Sequence, residues 1–467
     1  MEADGMIAFN KRRNTLEQET YHYELQEVSE PNLFRETFPY HSPPKVPFNH
    51  RLVPMDPPEE IWMTDTTFRD GQQARTPFTV QQIVDLYEMM HRLGGPNGLI
   101  RGSEFFLYSD SHKRAVAACL EKGYRYPEIT GWIRARAEDF KLVKQMGLSE
   151  TGILTSVSDY HIFLKLKKRR REAMEMYLDI VRSALEAGIV PRCHLEDITR
   201  ADFYGFVVPF VQELMRLAAE ARTRVKVRAC DTLGYGVAFP GASMPRSVKG
   251  IIYGLVHHAG VPSEWLEWHG HNDFYRAVSN ASTAWLYGCA GANGTLLGIG
   301  ERTGNTPIEA LVFEYMGLRG DDGGMQPQVI TEIAEYFEHE IGYDIPPKQP
   351  FVGRNFNVTR AGIHADGLLK DEEIYNIFDT DALLNRPVSV AITDTSGSAG
   401  VAHWINDHYG LAPEARVEKS HPGVAKILKA IAKEYEGGRT TAMSDEEMEA
   451  LVKQHIPELA AKGPQGS

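Results

Sequence analysis

A chain of 467 residues, 42% hydrophobic and 24% charged, is long enough to bury a large core and exceeds the usual size of one domain. Its formal net charge of −13 disfavours non-specific binding to nucleic acid or an anionic membrane, while leaving room for a small anionic substrate in a local basic pocket. Cys119, Cys193, Cys230 and Cys289 lie far apart with no C-x-x-C pair, which fits buried reduced thiols and a cytoplasmic protein better than a disulfide frame or a zinc site.

Residues 1–58 are rich in Pro, Asn and charge. Pro43-Pro44, Pro47, Pro54 and Pro57-Pro58 break any helix or central strand, so this stretch is expected to run as an extended arm over the surface. It lacks the apolar segment of a signal peptide, and no run of about 18 apolar residues occurs anywhere, so no membrane partner is expected.

From Ile61 to about Leu318, short β-type runs alternate with amphipathic helical runs, the order expected of parallel βα units. The strand candidates are Ile61–Thr67, Leu99–Leu107, Tyr126–Trp132, Gly152–Ser158, Ile189–Leu195, Val225–Asp231, Leu266–His271 and Gly294–Ile299. Helical runs such as Val80–Leu93, Arg170–Ala187 and Phe203–Ala221 lie between them. Eight units in roughly 250 residues match an α/β fold of the (β/α)8 barrel type over residues 59–320. An open doubly wound sheet is the alternative, but its phosphate-binding fingerprint is missing from the first βα turn.

The Gly/Asp cluster Arg319-Gly320-Asp321-Asp322-Gly323-Gly324 reads as a linker ending the eighth helix. A smaller, mainly helical C-terminal subdomain is expected over 321–410. Residues 411–467 should add two helices after His421, one opened by the capping box Ser444-x-x-Glu447, and a disordered tail from Lys462.

Within this frame Asp70 follows the first strand and His269-Gly270-His271 ends the seventh, so both face the catalytic end of a barrel. Alternate strand residues share a face, so the two imidazoles can hold one cation together with the Asp70 carboxylate. Such a triad suits a borderline divalent ion with open positions. It also occurs in non-haem iron oxygenases, a reading the fold argues against. The tight loop Gly298–Asn305 delivers Asn305 towards the same point. Arg69 can stabilise an oxyanion there, or serve as a rim salt bridge. Glu196 closes the fifth strand as a proton carrier or an exposed acidic turn, and Thr232, ending the sixth, could donate to a substrate carboxylate.

Several ordered blocks resemble one family. Asp65-Thr66-Thr67-Phe68-Arg69-Asp70-Gly71-x-Gln73, Ile129-Thr130-Gly131-x-x-Arg134-Ala135, Ser158-Asp159-x-His161, Glu196-Asp197-x-x-Arg200, His269-x-His271-Asn272-Asp273 and Gly294-Thr295-x-x-Gly298-Ile299-Gly300-Glu301-Arg302-x-Gly304-Asn305 are similar to blocks of the metal-dependent acyl-CoA barrel enzymes. These comprise the 2-isopropylmalate, homocitrate and citramalate synthases and hydroxymethylglutaryl-CoA lyase. The resemblance spans about residues 60–380. It implies that Asp70, His269 and His271 are metal ligands, with Asn305 a weaker fourth, and that Arg69 and Glu196 are catalytic. Glu104, Arg134, His161 and Thr232 match substrate-pocket positions. The implied ion is divalent, Mn2+ first, with Co2+, Mg2+ or Zn2+ as alternatives.

Arg360-Ala361-Gly362-Ile363-His364-Ala365-Asp366-Gly367 and Tyr375 resemble the subdomain that the synthases of this family, unlike the lyase, insert into a partner's active site. That likeness implies condensation, a homodimer with subdomain exchange, and His364 and Tyr375 as catalytic residues acting across the interface. Phe105-Phe106-Leu107-Tyr108-Ser109-Asp110 after Glu104, Tyr275 after the His-x-His block, and Asp394-Thr395-Ser396-Gly397 depart from the commonest family pattern. With the long Pro-rich arm, they resemble the subgroup of Re-face citrate synthases, for which acetyl-CoA and oxaloacetate are the implied substrates. Homocitrate, 2-isopropylmalate or citramalate synthase are the alternatives, and a metal-dependent lyase or aldolase is less favoured. The second carboxylate of oxaloacetate would need buried polar partners, for which Tyr108, Ser109 and Arg134 are candidates.

Overall fold

A computed structural model describes residues 7–10, 15–18 and 21–460. The tail expected from Lys462, and residues 1–6, 11–14 and 19–20 of the arm, lie outside the described residues. Eight parallel strands pair in chain order and close into a barrel: β1 (Trp62–Asp65), β2 (Ile100–Phe106), β3 (Glu128–Ile133), β4 (Glu150–Ser156), β5 (Val190–Glu196), β6 (Lys226–Asp231), β7 (Leu266–Gly270) and β8 (Gly291–Gly294). Closure comes from β8 against β1, where Gly291 pairs with Trp62 and Asn293 with Thr64. Helices including Val80–Gly94, Asp110–Glu121, Arg170–Glu186, Val208–Ala221 and Ala277–Leu286 fill the connections. Thr79 and Ser109 start two of these, their hydroxyls accepting the N–H of Gln82 and His112.

The eighth strand is displaced from its expected place. Leu296–Gly298, the apolar half of the expected Gly294–Ile299, is a 3-10 turn with Leu297 at φ +56°, whereas the strand is Gly-Ala-Asn-Gly. Large side chains do not fit there, because a Cβ on Gly294 would lie 2.4 Å from the Thr306 carbonyl oxygen.

Ion pairs occupy the barrel interior. Arg192 reaches Glu104 (2.6 Å) and Glu150, and Arg228 reaches Glu104 (3.0 Å) and Glu267, with His194 3.3 Å from Glu104. All six are buried. Burying so many charges is tolerable only because each carboxylate meets a guanidinium. The arm is likewise bound to the barrel: Asn32 N–H donates to Asp159 Oδ2 (2.7 Å), Tyr160 to Leu33 O (2.7 Å) and Arg246 to Pro44 O (3.2 Å).

The described residues up to 326 and those from 327 form two compact units. The Gly/Asp cluster belongs to the first and is pinned to it: Asn97 Nδ2 donates to Gly323 O (2.8 Å) and Gln326 N–H to Leu93 O (3.1 Å). In the second unit, Leu368, Ile392 and Ile405 share one core with Ile427, Ile431, Met448 and Val452, so position 411 does not divide it. The Ser444–Glu447 capping box is formed. Among the described residues no helix is long and apolar enough to cross a membrane.

Candidate active site

Beyond β1 the chain turns sharply. The Asp65 carboxylate accepts hydrogen bonds from Thr67 N–H (2.9 Å), Thr67 Oγ1 (2.5 Å) and Ser103 Oγ (2.6 Å), and the N–H groups of Asp70 and Gly71 both return to Thr66 O. That turn swings Asp70 across the barrel mouth. Opposite it, β7 presents Glu267 and His269 on one face, and His271, one residue past its end, continues the alternation. Asp70 Oδ2 lies 3.3 Å from His269 Nε2 and 3.6 Å from His271 Nε2, and the two Nε2 atoms are 3.3 Å apart. Among the described residues these three form the only group of three His, Cys or acidic side chains whose ligand atoms converge within 4.8 Å.

Asn305 Nδ2 donates to Asp70 Oδ2 at 2.9 Å, while its buried Oδ1 finds no partner among the described residues. Gly304, at φ +85°, allows this approach, for a Cβ there would sit 2.0 Å from Gly298 O. Burial opposes ionisation of Asp70, but Arg69 and the two imidazoles outweigh it and hold the carboxyl well below its usual range. Burial and the neighbouring His269 push His271 down to about 4, which leaves it neutral and able to ligate. Two imidazoles, one carboxylate and an orphaned amide oxygen fit a divalent cation.

Arg69 lies beside this cluster, its Nη1 3.5 Å from Asp70 Oδ1 and its Cζ 4.4 Å from the centre of the Trp132 ring. Glu104 was expected among the substrate contacts. Its two oxygens are instead taken by Thr66, Arg192 and Arg228, and its Oε1 lies 4.0 Å from Arg69 Nε, so it forms the floor beneath that arginine. The Thr232 hydroxyl accepts from Asp197 N–H (2.9 Å), which leaves it its proton to donate. Ser109 is engaged as a helix cap.

Glu196 ends β5 with His161 Nδ1 at 3.2 Å, Lys165 Nζ at 3.6 Å and the Ser156 hydroxyl in contact. Tyr108 donates to Asp139 Oδ2 (3.0 Å) and accepts the Arg134 N–H (2.7 Å), while the half-exposed Arg134 guanidinium pairs with Asp139. His364 and Tyr375 lie in the second unit, both partly exposed, their ring centres 4.4 Å apart. Residues that sequence reasoning passed over are Trp132, Asn293 and the Arg192/Arg228/Glu267 network. Trp132 occupies an unassigned position of its block, yet alternation from Thr130 along β3 places it on the inner face.

The profile of the HMGL-like family matches residues 60–336. A Citrate (Re)-synthase of Syntrophus aciditrophicus is 59% identical over 457 residues, 97% of this chain and 73% of that protein. Another of Clostridium kluyveri is 55% identical over 95% of this chain and 98% of its own length. A 2-phosphinomethylmalate synthase of Streptomyces hygroscopicus is 38% identical over 92% of this chain and 97% of that protein. With a closed (β/α)8 barrel carrying the Asp-His-His cluster at its mouth, the chain belongs to the HMGL-like family.

Proposed function

We propose that this protein condenses acetyl-CoA with oxaloacetate and hydrolyses the resulting thioester, releasing citrate and CoA. The reading is carried by 55–59% identity, over nearly the whole chain, to two proteins named for that synthesis. Asp70, His269 and His271, with Asn305 as a fourth donor, would hold a divalent ion that supplies Lewis acidity to the keto group of the acceptor. The mixed oxygen and imidazole donors suit a divalent ion without selecting one; by family likeness Mn2+ comes first, with Co2+, Mg2+ and Zn2+ as alternatives.

The chain's own residues would divide the remaining work. The acetyl methyl loses a proton, the enolate carbon attacks the keto carbon, and the negative charge that develops on the former keto oxygen lies within reach of the Arg69 guanidinium. Glu196, backed by His161, accepts or returns protons. Arg134, with Tyr108 against it, and Ser109 would offer cationic and hydroxyl groups to the second carboxylate of oxaloacetate. His364 and Tyr375 would act from a partner copy in a homodimer that exchanges the second unit, a role supported by their adjacent, partly exposed rings. Water then cleaves the thioester and the CoA thiol leaves. Four buried, unpaired thiols suit a cytoplasmic protein.

The test is thiol release from acetyl-CoA by metal-loaded protein offered oxaloacetate, 2-oxoglutarate, pyruvate and 3-methyl-2-oxobutanoate in turn, with identification of the product acid. Citrate formed with preference for oxaloacetate is the expected result. No thiol with oxaloacetate, or a better 2-oxoglutarate reaction, overturns it.

A further inference from the structure

Each hydrogen bond in the buried polar chain beneath His269 has a direction, and the direction begins at an anion. Glu267, paired with Arg228, can only accept, so the Thr64 hydroxyl must give its proton to Glu267 Oε1. Thr64 Oγ1 is then left as an acceptor, and Asn293 Nδ2 donates to it at 2.9 Å and to Thr64 O at 3.3 Å. With its amino group committed, Asn293 turns Oδ1 towards His269 Nδ1, 2.7 Å away. Nδ1 therefore carries the proton, and the lone pair lies on Nε2, the atom that faces Asp70 and His271.

We propose that Asn293 is a positioning residue that fixes the tautomer and ring orientation of His269 for the ion, and that the ionic barrel core sets the polarity of Asn293 through Thr64. The inference rests on the metal-site reading and extends it to a residue that touches neither ion nor substrate. An amide alone could present either end to the imidazole. Presenting the amino end would force the proton onto Nε2 and abolish ligation, and the Glu267–Thr64 bond forbids that arrangement. Asn293 is fully buried, so no water substitutes for it.

The test compares wild type with N293A, N293D and T64V by direct metal titration and by the visible spectrum of the Co2+-loaded proteins, alongside thermal unfolding. N293A should bind metal about 10–100-fold more weakly, with an altered Co2+ spectrum. N293D keeps an acceptor towards Nδ1 but sets its second oxygen against the lone pairs of Thr64 Oγ1 and O, so it, like T64V, should fall between N293A and wild type. Unchanged affinity and spectrum in N293A overturn the proposal. Should N293A fail to fold, T64V decides, and wild-type binding by T64V counts against it. A wild type that binds no metal would instead defeat the metal-site reading itself.

Discussion

Trp132 lays its ring against the Arg69 guanidinium, 4.4 Å from ring centre to Cζ, while Glu104 Oε1 lies 4.0 Å from Arg69 Nε. The arginine is thus held by an aromatic face and an anion, with its Nη1 edge turned to Asp70. A desolvated cation–π contact is worth about 2 kcal/mol. W132L is therefore expected to lower kcat about 10- to 30-fold with a smaller change in KM for the acceptor, and W132F to recover most of the loss. Steady-state kinetics of the two variants check this; equal impairment of both would show that bulk, and not the ring face, is what Arg69 needs.

His161 Nδ1 and Glu196 Oε2 are 3.2 Å apart. If the pair moves protons as a unit, E196Q should reduce kcat by roughly 100-fold or more. H161N should cost less, and the double variant no more than E196Q alone. A double-mutant cycle on kcat measures this, and losses that simply add would separate the two residues.

Much of this architecture is legible from one sequence because its signals are local. Strand alternation puts His269 and His271 on one face, and the repeated βα pattern places them and Asp70 at one end of a barrel. Asn293 is not legible: its partner Thr64 lies 229 residues away, and its strand, Gly-Ala-Asn-Gly, has none of the β-branched composition that marks strands. Family likeness alone assigns Glu104 to the substrate pocket, and likeness says nothing of what neutralises its charge. Arg192 and Arg228, which neutralise it, sit on β5 and β6, and only closure of the barrel brings them together.

His194, buried between Arg228 and Glu104, is held down to about 3, by burial first and by the Arg228 charge second. Its ordinary value is 6.5, so on acidification the unfolded chain takes up a proton that the folded chain refuses. This contribution favours folding above pH 6.5 and is lost progressively as pH falls towards 3. One proton gives a slope of at most about 1.4 kcal/mol per pH unit. H194Q should unfold in denaturant with a shallower dependence on pH between 6 and 4 than wild type. Parallel curves would mean that His194 does not titrate on unfolding in that interval.

Gly304 combines two constraints that no other residue satisfies. Its φ of +85° is unfavourable for any side chain, and a Cβ would come within 2.0 Å of Gly298 O, the acceptor of the Asn305 N–H bond that closes the loop. G304A must open that loop and draw Asn305 from Asp70. Asp70 would keep its imidazoles but lose the amide that contacts it at 2.9 Å. The expected outcome is destabilisation of about 1–3 kcal/mol in denaturant unfolding. Metal affinity should also fall, in proportion to how far Asn305 participates as a ligand. Because N305A leaves the loop backbone intact, it separates the two effects: it should match G304A in metal affinity while retaining most of the stability. If N305A binds metal as wild type does, Asn305 only orients Asp70 and is not itself a ligand.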